Sequence, residues 1–158
     1  MKLKSFVYKF DAGPFEKKEG LARDWKIGNC RRSLQYYFFE VHGIFLKPEE
    51  VLCPAAYHRT GSFVFEKGQD IDFRSLKEGD IIYAERIKDK KGNLVEVGES
   101  KFANFEDYIT SLHTAIYTGK LRKEIWHATS VEGKDCFWSL SKFLGFYKLI
   151  AVKRVLAN

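Results

Sequence analysis

The segment from Asn29 to Gly43 constrains the fold of this 158-residue chain more than any other stretch. Asn29 is a favourable helix N-cap, and Gly43 is a favourable helix end. Between them the apolar side chains recur at helical spacing, on Cys30, Leu34, Tyr37, Phe38 and Val41. The segment therefore predicts one amphipathic helix that begins at Cys30 and turns its apolar face toward the core.

Most of the remaining chain is patterned as strands. The predicted strands are 81–84, 113–118, 123–129 and 146–155, and the predicted short helices are 105–111 and 136–144. The sequence contains no repeat and no linker, so we expect a single domain over residues 1–158. Helices followed by adjacent strands predict an α+β fold, with N-terminal helices packed on an antiparallel sheet.

Composition narrows the function classes. The net charge is +6, but the basic residues are dispersed, so we expect no nucleic-acid partner. Three cysteines without metal-ligand spacing favour neither a disulfide framework nor a zinc site, and we expect no metal or cofactor. No stretch is long enough to span a membrane, and Lys9 and Asp11 interrupt a signal-peptide core. These features favour a cytoplasmic protein and leave the oligomeric state open.

Cys30 is the candidate nucleophile. At the first position of the helix, the positive end of the helix dipole favours its thiolate form, and Arg31 and Arg32 add positive charge. Backbone N–H groups at the same helix start could bind an oxyanion. The alternative interpretation is a small buried hydrophobic residue on an apolar helix face.

His113 and His127 are the candidate base and orienting residue. With a three-residue loop at Gly119-Lys120-Leu121, the two strands place His113 directly opposite His127 on one face. A loop with an even number of residues would put them on opposite faces. In the favourable register, the small Ala115 shares that face and leaves room for a helix to approach. Cys53 and Cys136 are interpreted as structural thiols.

Four segments in this order resemble motifs of NlpC/P60 cysteine peptidases. The first, at the nucleophile, is Trp25-Lys26-Ile27-Gly28-Asn29-Cys30, and the second, at a strand entry, is Leu76-Lys77-Glu78-Gly79-Asp80-Ile81-Ile82-Tyr83. The base strand follows as His113-Thr114-Ala115-Ile116-Tyr117-Thr118-Gly119. The fourth segment, Ile125-Trp126-His127-Ala128, resembles the family's strand that carries the third polar residue.

This resemblance implies a papain-like α+β fold and a thiol hydrolase. Cys30 would attack an amide or related acyl bond, His113 would act as base, and His127 would orient His113. A small peptide or acyl compound would be the substrate, with peptidoglycan-type peptides suggested by the family. The open alternatives are acyl transfer on the same scaffold and a non-catalytic binding domain.

The chain departs from the family at two places. Arg31 and Arg32 follow the cysteine where the family has small residues, and they would crowd or recharge the substrate cleft. A basic cleft entrance suits an acidic or carboxylate-bearing substrate. The segment 44–73 is also long, and we interpret it as an insertion that covers the cleft.

Overall fold

The central feature of the molecule is one mixed sheet. The structure is a computed structural model that describes residues 3–23, 26–95, 98–119 and 124–156. The strands in these residues are β1 (Val7–Tyr8), β2 (Ile27–Gly28), β3 (Ser62–Phe65), β4 (Ile81–Arg86), β5 (His113–Tyr117), β6 (Glu124–Thr129), β7 (Lys134–Ser139) and β8 (Tyr147–Arg154). Their order across the sheet is β2-β1-β7-β6-β5-β4-β8-β3. The strand pairs are antiparallel, except for the parallel pair of β1 and β2 at one edge.

The helices lie on both faces of this sheet. They are α1 (Lys18–Arg23), α2 (Cys30–His42), α3 (Pro48–Val51), α4 (Ala55–Arg59), α5 (Phe105–Ser111) and α6 (Leu140–Phe146). Leu34 and Phe38 of α2 pack with Ile81, Ile116 and Trp126 in one core. The opposite face of the same strands forms a second core with α6.

The predicted helix at Cys30 is confirmed from end to end. The side chain of Asn29 accepts hydrogen bonds from the backbone N–H groups of Arg31 and Arg32, which caps the first turn. Gly43 ends the helix in the left-handed region, with φ of 69°. The helix starts at Cys30 because its cap residue satisfies the amides that follow.

The predicted helix over 136–144 is confirmed only from Leu140 onward. Residues Lys134–Ser139 form β7, which pairs along its whole length with β6, and the helix α6 begins only at Leu140. Ser139 caps this helix by accepting a hydrogen bond from the N–H of Lys142. The strand is selected by pairing with β6, to which residues 130–133 connect it, and the helical spacing of the apolar residues in 136–144 does not report that pairing.

The predicted register of the hairpin between β5 and β6 is also wrong. Ile116 pairs with Trp126, and the backbone hydrogen bonds leave residues 119–123 as the connection. The connection is therefore longer than the three-residue loop expected from the sequence. Two residues of that expected loop, Lys120 and Leu121, lie outside the described residues, as does Trp25 of the first motif.

Candidate active site

Cys30 and His113 line one cavity of about 320 Å³. Cys30 is half-buried as the first residue of α2, and His113 is half-buried as the first residue of β5. Thr114 links the two elements, because its hydroxyl donates a hydrogen bond of 3.3 Å to the carbonyl oxygen of Cys30. The structure therefore brings the predicted nucleophile and the predicted base to the same opening.

The two histidines contact each other through their ring nitrogens. Nε2 of His113 lies 2.8 Å from Nδ1 of His127, which is hydrogen-bond distance. The pair is offset diagonally across the strands, since the hairpin register differs from the predicted one. Both side chains still lie on one face because the shift preserves the alternation of the strands.

That face of the sheet is covered by α6, whereas α2 packs on the opposite face. Phe143 of α6 contacts the ring of His127 at a centroid distance of 5.2 Å. The helix that approaches the face of Ala115 is α6, since Ala115 belongs to the core on the α6 side. Cys30 reaches the neighbourhood of His113 at the end of β5, and not across its face.

Aromatic rings fix the orientation of His113. Its ring is stacked on Tyr147, with centroids 4.5 Å apart and an interplanar angle of 16°. His127 is fully buried and meets Trp138 edge to face at 4.6 Å. Within the described part of the chain, Nε2 of His127 is buried without a hydrogen-bond partner.

One tautomer of the pair leaves His113 able to act as a base. In this tautomer His127 carries its proton on Nε2. Nδ1 of His127 then accepts a hydrogen bond from the Nε2–H of His113. His113 is left with a lone pair on Nδ1, the nitrogen that a base needs free to take a proton.

Burial is the main cause that lowers the pKa of His113 from its ordinary value of 6.5 to about 3, and the charges of Arg31 and Arg86 contribute to the same shift. Burial likewise lowers the pKa of His127, with further contributions from His113, Lys142 and Arg86. Both imidazoles are therefore neutral at physiological pH. A neutral His113 is in the protonation state that a general base requires.

The helix start offers a donor for a developing oxyanion. The Asn29 cap engages the N–H groups of Arg31 and Arg32, and Ser33 N–H bonds the Asn29 carbonyl. The N–H of Cys30 has no partner among the hydrogen bonds of the described residues. It is therefore available beside the thiol, where acyl-transfer chemistry develops negative charge.

The two arginines after Cys30 have different positions. Arg31 lines the cavity, and its Nη2 donates to the carbonyl oxygen of Leu112, the residue before His113, at 3.2 Å. Arg32 turns away, donating to the carbonyl oxygens of Gly13 and Ile27 at 2.6 and 3.0 Å. Of the two arginines, only Arg31 lines the cavity and adds its positive charge there.

Sequence reasoning missed several residues of the cavity wall. Tyr8, Arg86 and Tyr147 come from three different strands, and nothing in their local sequence marks them. Cys53, interpreted as a structural thiol, also lines the cavity, together with Leu52. Both belong to the segment 44–73, which therefore contributes to the cavity wall.

The described residues contain no cluster of three or more histidine, cysteine or acidic side chains arranged to hold a metal ion. Nor does any helix among them combine the length and apolar character required to cross a bilayer.

The fold is similar to that of two solved structures of NlpC proteins. The chain aligns with NlpC2 from Trichomonas vaginalis at a TM-score of 0.54 and 14% identity, covering 98% of this chain and 42% of that one. It aligns with NlpC1 from the same organism at a TM-score of 0.53 and 14% identity, covering 98% and 40%. The chain thus spans less than half the length of these proteins. No protein-family model and no curated protein matches the sequence.

These alignments extend over nearly the whole described chain, so they define its class of fold. The protein has the general papain-like arrangement of NlpC proteins.

Proposed function

We propose that this protein is a cysteine hydrolase that cleaves an amide or related acyl bond. The observation that carries the proposal is the cavity shared by Cys30 and His113, with His113 bonded through Nε2 to His127. Cys30 attacks the acyl carbonyl, and Nδ1 of His113 takes the thiol proton and returns it to the leaving group. His127 is a positioning residue that holds the His113 ring.

The substrate in this proposal is a small peptide or acyl compound. Peptidoglycan-type peptides are the candidates suggested by the sequence resemblance to NlpC/P60 peptidases. The same acyl-enzyme could pass its acyl group to an acceptor other than water, and adding amine or lipid acceptors to the reaction distinguishes transfer from hydrolysis by the products formed.

The test is turnover and acyl-enzyme formation by purified protein. Synthetic peptidoglycan-type peptides and small thioesters are incubated with the protein, released products are identified, and intact mass reveals an acyl adduct. We expect Cys30→Ala and His113→Ala to abolish turnover. Cys136→Ala removes a thiol outside the cavity and should leave turnover at the wild-type level. Turnover by Cys30→Ala at the wild-type rate would disprove the proposed nucleophile.

A second candidate is a non-catalytic binding domain on the same fold. It is favoured by one observation: within the described residues, no hydrogen bond joins Sγ of Cys30 to either imidazole. This candidate predicts neither adduct nor turnover with any of the acyl probes, together with saturable binding of a ligand in the cavity.

A further inference from the structure

Arg31 places a nearly buried positive charge against the cavity. The residue is 8% exposed, and its Nη2 donates to the carbonyl oxygens of Leu112 and Thr110 at 3.2 and 3.5 Å. Its Nη1 is buried without a hydrogen-bond partner in the described part of the chain. Carbonyl groups satisfy donors but carry no net charge, so the guanidinium charge remains uncompensated.

Within the described residues, Arg31 has no hydrogen bond or ion pair with a carboxylate. The ionisable groups that act on it are the thiols of Cys30 and Cys53 and the phenol of Tyr83. Buried arginines are ordinarily paired with an acidic side chain, because removing a charge from water is costly. The missing partner is the first sign that the cavity accommodates an anion.

A second arginine faces the same space. Arg86 lines the cavity and is half-buried, and its Nη1 lies 3.2 Å from the hydroxyl of Ser130. None of the described residues that line the cavity is aspartate or glutamate. Arg31 of α2 and Arg86 of β4 therefore bring two positive charges to a cavity that is lined by no described aspartate or glutamate.

We propose that this cavity binds a carboxylate group of the substrate through Arg31 and Arg86, so that the protein acts on acidic acyl compounds. The inference rests on the proposed function, because it names the substrate class of the same site. A cavity of about 320 Å³ lies at the small end of ligand sites, which fits a short acyl chain or a single acidic residue. A planar carboxylate also matches the paired donors of a guanidinium.

The test is binding of small dicarboxylates, which does not depend on turnover. Glutarate is titrated into the full chain by calorimetry, with glutaramide as the neutral probe of the same shape and inorganic phosphate as the competing anion. We expect saturable binding of glutarate and at least tenfold weaker binding of the other two. Equal binding of glutaramide, tighter binding of phosphate or no binding of glutarate would each overturn the proposal.

Variants locate the binding site. Arg86→Met removes a half-exposed charge and should weaken glutarate binding about tenfold or more while the fold is retained. Arg31→Met should abolish glutarate binding if this variant folds. If it does not fold, the binding measured with Arg86→Met decides the test. Arg59→Met removes an exposed arginine of α4 outside the cavity and is the matched control, expected to bind as the wild type does. Wild-type affinity in Arg86→Met would contradict the assignment.

The outcomes separate this inference from the proposed function. If glutarate binds as expected but Cys30→Ala retains turnover, the hydrolase assignment fails and the anion site stands. If turnover depends on Cys30 but glutarate does not bind, the inference fails alone. Alkylation of Cys30 by iodoacetamide, measured by mass spectrometry, tests whether glutarate binds next to the thiol. Bound glutarate should slow the alkylation, and glutaramide should not.

Discussion

At the scale of single residues, the contact between the two imidazoles decides which nitrogen of His113 is free. His127 is enclosed by aromatic rings, and its Nδ1 is the atom that meets Nε2 of His113. An acceptor at this place keeps the Nδ1 lone pair of His113 free. The role of His127 in the proposed mechanism is thus to accept one hydrogen bond in a fixed geometry.

His127→Asn and His127→Leu test this role. The amide oxygen of asparagine can accept the Nε2–H of His113, whereas leucine cannot, so we expect His127→Asn to retain more activity. Loss of the acceptor in His127→Leu should lower kcat by about 100-fold, the lower end of general-base effects, with a smaller change in KM. Equal kcat values for the two variants, with both folded, would show that His127 does not act through an accepted hydrogen bond.

The sequence predicted the partnership of the histidines but not their geometry. Strand alternation places His113 and His127 on one face whenever the register changes by an even number of residues, so the prediction tolerated a wrong loop length. The burial of Arg31 could not be predicted from the sequence. A charged residue next to Cys30 could be read from the chain, but its bond to Leu112 joins positions far apart in sequence.

At the scale of elements, the first turn of α2 positions the candidate nucleophile. The Asn29 side chain accepts from the N–H groups of Arg31 and Arg32 at 3.1 Å each, and its own amide donates to the carbonyl oxygen of Phe10 at 3.0 Å. The cap therefore ties the helix start to the N-terminal segment. Residue Phe10 also lines the cavity.

Replacing the cap should change stability and activity together. Asn29→Ala removes the acceptor of two N–H groups, so we expect a loss of about 1 kcal/mol in the free energy of unfolding, measured by urea denaturation. Because the turn that carries Cys30 loosens, kcat should fall as well. Asn29→Asp keeps the acceptor for both N–H groups but loses the donor to the carbonyl oxygen of Phe10, so it separates the cap from the tie to the N-terminal segment. A wild-type kcat in Asn29→Ala would show that the cap does not position the thiol.

The capped helices and most of the long strands were predicted well, whereas β7 was not. Helix α2 has a cap at each end, and α5 begins after the cap residue Asn104, so both have the predicted bounds. β7 instead depends on its hydrogen bonds to β6, which no local pattern encodes. Next to the edge strand β2, β1 is only two residues long, although residues 3–10 alternate enough to suggest a longer strand.

At the scale of the whole molecule, three buried titratable groups shape the stability. Burial raises the pKa of Asp135 from 3.8 to about 8, opposed by its hydrogen bond with Ser33, so the folded protein holds this proton where the unfolded chain has lost it. The pKa values of His113 and His127 are lowered, so the folded protein lacks protons that the unfolded chain binds below pH 6.5.

These shifts predict a stability maximum near pH 6.5. From pH 6.5 up to about pH 8, the folded state holds the extra proton of Asp135, while the histidines of the unfolded chain lose their remaining protons. The free energy of unfolding therefore falls as the pH rises, by about 1 kcal/mol. Below pH 6.5, the unfolded state binds up to two more protons at the histidines and one fewer at Asp135. Stability therefore falls toward acid pH as well.

Urea denaturation between pH 4 and pH 9 measures this profile. Asp135→Asn should remove the decline between pH 6.5 and pH 8, because the amide is neutral at every pH and its oxygen can accept the hydrogen bond that the Ser33 hydroxyl donates. Asp11→Asn makes the same charge change at an exposed carboxyl group and should leave the decline in place. A decline of equal size in Asp135→Asn would assign it to other groups.

The two arginines at the cavity also bear on when the site can react. Their charges oppose protonation of His113, so the unliganded protein holds its base in a weak state. An anion bound between Arg31 and Arg86 would cancel part of that field and raise the basicity of His113 again. A substrate of the proposed class would then raise the basicity of His113 when it binds. A neutral compound in the cavity would not, so the Cys30 thiol would react with it slowly.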